Sequence, residues 1–405
     1  MKKRFNIAST VVLCIVTCVI TVLVTTVGIR SDYKEKLNST YDYYSEFNKL
    51  KSIDEYVKNN FVGEYTSDVW ESMINGYFSG LGDPYSMYHT AEEMQAIKEE
   101  SEGTLVGIGI YINFDIDYEC IYITHVMKDS PALKANLAPG DRIIEIDGTV
   151  INAQNYNEVV GSVAGTEGTE LTIKVKRGEE TFVKKLKREK VKSEAVYFDI
   201  IEKDETKIAH ITIINFNGNV DIEFKNYMNL AKSNNVDGYI FDVRNNPGGD
   251  LNMICNILDS ILPAGPIVYI KNSKGETVAQ ETSSGKTPLN KPAVVIVNGN
   301  SASAAELFTA AIKDYKVGTI VGVKTFGKGT MQRIISLPDG SGIRLSMNYY
   351  DPPKSANYHN IGISPDIEIK LDEYYANRPY LLTQENDTQL AAAINEITKT
   401  VKGEN

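Results

Sequence analysis

Two short stretches carry residues whose types and spacing suit acyl transfer. In Asn298-Gly299-Asn300-Ser301-Ala302-Ser303-Ala304-Ala305-Glu306, two serines lie where the apolar strand Val294–Val297 gives way to a helix expected from about Ala302 to Tyr315. A serine at such a junction is exposed at the strand's carboxyl end. Beside it lie helix-end N–H groups that favour a developing oxyanion. In Lys324-Thr325-Phe326-Gly327-Lys328-Gly329-Thr330-Met331-Gln332, a lysine stands between two glycines just after a second expected strand, Thr319–Val323. A serine hydroxyl is a weak nucleophile until a base takes its proton, and a neutral lysine is able to do so. Ser301 competes with Ser303 as nucleophile, although it reads as a helix cap. Lys324 competes with Lys328 as base, although it reads as a solvated charge at a strand end. Neither HExxH nor GxSxG occurs, so neither a zinc-protease helix nor a nucleophile elbow is signalled. The four histidines, at 89, 125, 210 and 359, show no metal-ligand spacing, and none neighbours a loop where a nucleophile is expected. His210, inside an apolar strand, reads as structural. Counting residues alone leaves a Ser-His-Asp site open.

The elements that must position these residues follow from the rest of the chain. At 405 residues, two to three domains are expected. A hydrophobic fraction of 42% and a charged fraction of 23% are ordinary for a globular protein. The net charge of −11 argues against broad nucleic-acid binding, which needs basic patches. Four cysteines, two of them (Cys14 and Cys18) in an apolar N-terminal run, make no disulfide scaffold and no zinc motif. No charge falls between Arg4 and Arg30, and the run is long enough to span a bilayer as a helix. It exceeds a signal peptide's apolar core and no A-x-A-like site follows, so it reads as an uncleaved anchor. Residues 32–100 have an amphipathic helical pattern, interrupted at Gly82-Asp83-Pro84. From about 103 to 187 short strands and glycine turns take over. From Thr206 to about Ile369 strands alternate with helices, an α/β layer pattern. Phe224, Tyr227, Met228 and Ala231 mark one helical face there, and Leu251, Ile254, Leu258 and Ile261 another.

Residues 103–187 resemble a PDZ domain, on Val106-Gly107-Ile108-Gly109-Ile110 and on Ser130-Pro131-Ala132 through Leu137-Ala138-Pro139-Gly140-Asp141-Arg142-Ile143-Ile144-Glu145-Ile146-Asp147-Gly148. That resemblance implies a glycine-containing loop that offers backbone N–H groups to a peptide's terminal carboxylate, the peptide adding as a strand. Nearly everything after the apolar run is similar to the C-terminal processing peptidases, or tail-specific proteases. The likeness rests on Gly80-Leu81-Gly82-Asp83-Pro84-Tyr85-Ser86, the PDZ-like stretch, Asp242-Val243-Arg244-Asn245-Asn246-Pro247-Gly248-Gly249, the Ser-Ala-Ser segment, Phe326-Gly327-Lys328-Gly329 with Gln332, and Gly362-Ile363-Ser364-Pro365-Asp366. It implies Ser303 as nucleophile, Lys328 as base with Gln332 as its partner, and the backbone N–H groups of Gly249 and Ala304 as oxyanion donors. Arg244 and Asp314 match supporting positions; an ordinary Arg244–Asp314 ion pair is the bland reading. The departures are Gly82, where relatives commonly lack a glycine, and Ala305 for a frequent serine. On physical grounds Lys328 must work uncharged, because an ammonium cannot accept a proton. Burial lowers a lysine pKa, and an uncharged Gln332 would hold the amine without favouring the ammonium.

The expected fold is multidomain, α+β and α/β: a transmembrane helix (1–31), a helical N-terminal region (32–102), a PDZ domain (103–187), a protease core with ClpP/crotonase-like βαβ layers (188–372) and a helical tail (373–405). The expected function is that of a membrane-anchored serine endopeptidase that takes protein C-termini, apolar ones above all, in its PDZ domain. The alternative is a non-catalytic anchored PDZ scaffold. No metal or other cofactor is expected, nor any nucleic-acid partner. The catalytic part is expected outside the cytoplasm on a single-pass anchor, self-associated as a homodimer or larger homo-oligomer.

Overall fold

A computed structural model describes residues 45–403 apart from 67 and 102. The expected membrane span lies outside the described residues, and among those described no helix is long and apolar enough to cross a membrane. The chain divides into two compact units between Tyr77 and Phe78. The first contains a helix over 45–60 and most of the helix Asp68–Ser79. Its Lys58 pairs with Asp54 at 2.8 Å, and Asp54 also accepts from the Tyr65 hydroxyl.

The second unit is built around a six-stranded sheet. Val196–Lys203 runs antiparallel to Thr206–Ile213. The strands Gly238–Asp242, Ala293–Val297, Thr319–Gly322 and Ile367–Glu368 then follow in parallel. Its central strands are nearly unbroken apolar runs because both faces are covered. On one face Ile211, Phe241 and Val295 pack against the helices Val220–Ser233, Leu251–Asp259 and Ala304–Tyr315. On the other, the alternating set Ile208, Ile240, Val294, Ile296 and Val321 packs against Leu390, Ala393, Ile394 and Ile397 of the helix Thr388–Lys402. The tail is therefore a layer of the core. Phe224, Met228 and Ala231, and Ile254 and Leu258, are buried as their helical spacing predicts. Burial of each larger side chain, Phe224, Met228, Ile254 and Leu258, contributes about 1.5–3 kcal/mol.

A second, five-stranded sheet contains Thr330–Ser336, Gly342–Asp351, Gly265–Lys271, Thr277–Ser283 and the short strand Met87–His89. That short strand falls in a region whose sequence pattern reads as helical. It forms because Met87, Tyr88 and His89 pair with Arg344, Ile343 and Gly342. Thr104–Gly107 pairs with Glu189–Lys192, and between them lies a separate sheet with its own core of Ile121, Ile123, Ile143, Leu171 and Ile173. The strand Ile110–Asp115 forms one edge of that sheet.

Candidate active site

The chain leaves Ala293–Val297 through a turn and enters the helix Ala304–Tyr315 at Ser303, whose φ of 56° and ψ of −116° are uncommon for a residue with a side chain. Such a conformation costs about 1–3 kcal/mol and persists only where its surroundings over-determine it. Here the Ser303 N–H donates to Glu306 Oε2 at 3.0 Å, the Ala302 N–H to the Asn246 carbonyl at 2.9 Å, and the Phe326 N–H to the Ser301 carbonyl at 3.1 Å. The helix starts at Ala304 rather than near Ala302, because Ser303 is its N-cap. Ser301 is not the cap. It is fully buried, donates to the Val243 carbonyl at 2.7 Å and accepts from the Asn298 N–H at 3.0 Å, so it closes the turn after the strand. Ser303, at 8% exposure, is buried but not sealed.

The Asn246–Gly249 loop lies directly against this turn. A Cβ on Gly248 (φ 104°) would stand 2.7 Å from Ser303 Cβ and 3.0 Å from the Ala304 nitrogen. Buried Asn246 shapes the loop, donating to the Ile213 carbonyl and accepting from the Gly248 N–H, both at 2.8 Å. Gly249 bridges Phe216 in parallel fashion. The Phe216 N–H donates to the Gly248 carbonyl and the Asp250 N–H to the Phe216 carbonyl, which leaves Gly249's own N–H on the opposite side. Among the described residues neither the Gly249 N–H nor the Ala304 N–H meets an acceptor. Two free donors flanking a serine are what a developing oxyanion requires.

Lys328 lies on the loop between Thr319–Gly322 and Thr330–Ser336. Its backbone N–H donates at 2.7 Å to Glu306 Oε2, the same oxygen that accepts from the Ser303 N–H. Glu306 Oε1 accepts from the Thr325 hydroxyl and the Gly327 N–H, each at 2.6 Å. Glu306, with no exposed surface, thus ties the serine turn to the lysine loop through four donors. A buried carboxylate is tolerable only when satisfied in this way. The sequence reading gave Glu306 no role, although Ser-x-x-Glu at a helix start is the capping-box pattern. Thr325 Oγ1 also accepts from the Ile363 N–H at 2.7 Å, and the Asn360 N–H donates to the Gly327 carbonyl at 2.8 Å, so the segment around Gly362 backs the same loop.

The side chains are less committed than the backbone. Lys328 is half-buried. Burial first, then the charge of Arg344, hold its amine below the ordinary lysine range, against Asp83 and Glu306. Its Nζ lies 4.8 Å from the centroid of the Tyr85 ring, and among the described residues it hydrogen-bonds neither Ser303 nor Gln332. Gln332 instead donates to the hydroxyls of Thr330 and Ser346, both at 3.0 Å. Lys324 is exposed. His359 abuts the lysine loop, its Nδ1 accepting from the Gly329 N–H at 3.4 Å, a proximity the sequence did not signal. His210 lies with Nε2 3.6 Å from Asp242 Oδ2.

Arg244 and Asp314 do not form the ion pair considered from sequence. Arg244 pairs with Asp242 at 2.6 Å and Asp387 at 2.8 Å and donates to Gln389 at 3.2 Å, fastening the start of the Thr388–Lys402 helix beneath the Asn246–Gly249 loop. Burial would raise the Asp242 carboxyl, but Arg244 holds it well below the usual range. Asp314 accepts from the Lys354 and Ser355 N–H groups at 2.8 and 2.9 Å.

In the smaller sheet, Val106 and Gly107 belong to the paired entry strand, and Ile108 is fully buried with its carbonyl accepting from the Ala132 N–H at 2.9 Å. Gly109 (φ 77°) packs so closely that a Cβ there would lie 2.3 Å from Ser130 Cβ. Among the described residues the Ile108 and Gly109 N–H groups meet no acceptor. Ile110 opens the edge strand, and Phe114 at its far end touches Tyr156 of the helix Tyr156–Val163 with ring centroids 4.8 Å apart.

Comparison with known proteins gives the family. Residues 207–369 match the model of peptidase family S41 and residues 122–177 that of the PDZ domain. A probable CtpA-like serine protease of Staphylococcus aureus (strain COL) is 34% identical over 334 residues, 82% of this chain and 66% of the relative. This chain thus spans slightly less than two thirds of that protein's length. A carboxy-terminal-processing protease of Bartonella bacilliformis is 30% identical over 348 residues, covering 84% of this chain and 79% of its own. The solved structure of a photosystem II D1 C-terminal processing protease is similar at 25% identity and a TM-score of 0.51, over 79% of this chain and 86% of that one. With its PDZ domain and its α/β core, the chain belongs to the carboxy-terminal-processing proteases of peptidase family S41.

Proposed function

We propose that this chain is a membrane-anchored serine endopeptidase working through Ser303 and Lys328. Neutral Lys328 takes the Ser303 hydroxyl proton as the oxygen attacks a peptide carbonyl. The N–H groups of Gly249 and Ala304 receive the oxyanion, and the protonated amine passes its proton to the leaving nitrogen. Water, deprotonated by the same amine, then releases the acyl group from Ser303. The observation that carries this reading is the convergence of the Ser303 and Lys328 backbones on a single Glu306 oxygen beside two unpartnered N–H groups. To act, the Lys328 amine must leave Tyr85 for Ser303, and Gln332 is the uncharged residue assigned to steady it there. Arg244 supports the oxyanion loop, and Asp314 the far end of the helix that Ser303 begins.

The PDZ domain takes a substrate's C-terminus, its carboxylate at Ile108 and Gly109 and its backbone along Ile110–Asp115, with apolar end residues seated among Ile110, Ile112 and Val159. The apolar run between Arg4 and Arg30 anchors the enzyme with its catalytic part outside the cytoplasm, and the protein works as a homo-oligomer. The test is cleavage of an unstructured peptide with an apolar C-terminus, followed by mass spectrometry. Wild-type enzyme is expected to give internal fragments and Ser303→Ala to lose at least about 10³-fold in rate. Undiminished cleavage by Ser303→Ala would overturn the enzyme assignment, and single-residue ladders would make it a carboxypeptidase.

A further inference from the structure

The Tyr85 ring is a placed group, not a loose side chain. Its turn is shaped by Asp83, which accepts from the Tyr85 N–H at 3.2 Å and from the Ser86 hydroxyl. The Ser86 oxygen accepts in turn from the Ser346 N–H at 3.0 Å, and Ser346 belongs to the strand Gly342–Asp351 that pairs with the Gln332 strand. The next residues, Met87–His89, join the edge of the same sheet. The ring is therefore held by the scaffold that carries Gln332, and Lys328 Nζ stands over it at 4.8 Å. A cation over a ring face is attracted by the ring's quadrupole, and a neutral amine is not.

We propose that Tyr85 is a positioning residue, a perch on which the protonated Lys328 amine rests away from Ser303 and which it leaves once its proton has gone to water. This rests on Lys328 being the base. The charged and titratable groups facing the amine are Asp83, Glu306, Arg344, Tyr85 itself and, behind the Gly329 N–H, His359. Burial, with Glu306 and Asp83 adding to it, raises the Tyr85 phenol above its ordinary range, opposite in direction to the shift of Lys328. The ring adds a pull toward the ammonium, and so delays the free amine to higher pH than burial and Arg344 alone would set.

The test is the pH dependence of kcat/KM for the full chain with Tyr at 85, with Tyr85→Phe, with Tyr85→Leu, and with trifluorophenylalanine at the same position. Phenylalanine keeps the ring face, so its acid limb is expected to coincide with wild type. Leucine keeps apolar cover without a quadrupole, and its acid limb is expected to move down by about half to one and a half pH units, the size of a cation–π contact. On that limb Tyr85→Leu is then roughly three- to thirtyfold faster than wild type, a gain that a merely structural role would not produce. Trifluorophenylalanine, with aromatic shape and a weakened quadrupole, is expected to follow leucine and keeps the test usable if the leucine variant does not fold. Acid limbs that all coincide, or that move up, overturn the perch. Lys328→Ala separates the two claims: unchanged activity and an unchanged acid limb there would remove the lysine base, and the perch with it.

Discussion

Around Ser303 the chain is fastened by groups with no access to water, whereas the peptide-binding module meets the protease core through polar and aromatic contacts at its rim. Glu306 holds the serine turn and the lysine loop with four hydrogen bonds, and Asn246 pins the Gly248–Gly249 turn. At the PDZ rim, Arg378 grips Asp117 at 2.6 and 2.7 Å, the Tyr380 hydroxyl donates to Asp115 at 3.1 Å, and the Tyr111 hydroxyl donates to the Glu194 carbonyl at 2.8 Å. The Arg378–Asp117 pair is an exposed contact that water replaces at little cost, while Asp115 is buried and the Tyr111 bond is partly so. A buried carboxylate with four donors has no such alternative. The Ser303 turn and the Lys328 loop are thus joined through the fully buried Glu306 carboxylate, while the PDZ rim includes an ion pair open to water.

Glu306→Gln attacks the frame most directly. Its amide would face donors with a donor, and leaving a buried donor unpaired costs about 1–3 kcal/mol. A fall of that size in denaturant unfolding is expected, together with loss of peptide cleavage; a variant as stable and as active as wild type would show that Glu306 frames nothing. Gly248→Ala places a Cβ 2.7 Å from Ser303 Cβ at a φ of 104°. It should lower kcat by about 10²–10³-fold, the scale of a lost oxyanion donor, with the PDZ domain still binding peptide by titration. Gln332→Glu puts a carboxylate near the lysine. An opposite charge favours the ammonium, so the lysine pKa rises, and the acid limb of kcat/KM should move up by about one pH unit. Turnover near neutral pH should fall; an unmoved limb would deny Gln332 its part. The smallest effect belongs to the rim. Arg378→Ala should leave the core's unfolding midpoint in place and change only how cleavage depends on the substrate's C-terminal residue, compared across peptides with apolar and charged ends.

Much of this arrangement was legible in the sequence for physical reasons. Strands buried on both faces read as apolar runs, and helices with one covered face read at their spacing, as with Phe224, Met228 and Ala231. The serine turn and the lysine loop stood out because small residues and glycines mark backbone that must approach something closely. What stayed hidden depends on contacts between distant segments. Arg244 could not be matched to Asp242 and Asp387 without the docking of the last helix. Tyr85 could not be placed over Lys328 without the edge strand Met87–His89. Glu306 was within reach, since its spacing from Ser303 carries the capping signal. A capping box, however, does not announce that its carboxylate will also hold a second loop.

The central claim is that Lys328 activates Ser303. Acid-quenching the full-length enzyme during turnover of a slowly hydrolysed peptide ester, then locating the acyl group by mass spectrometry, tests it most directly. The account predicts the acyl group on Ser303, formed at least about 10²-fold more slowly in Lys328→Ala. An acyl group on Ser301 or another residue, or an equal rate of acylation without the lysine, would contradict it.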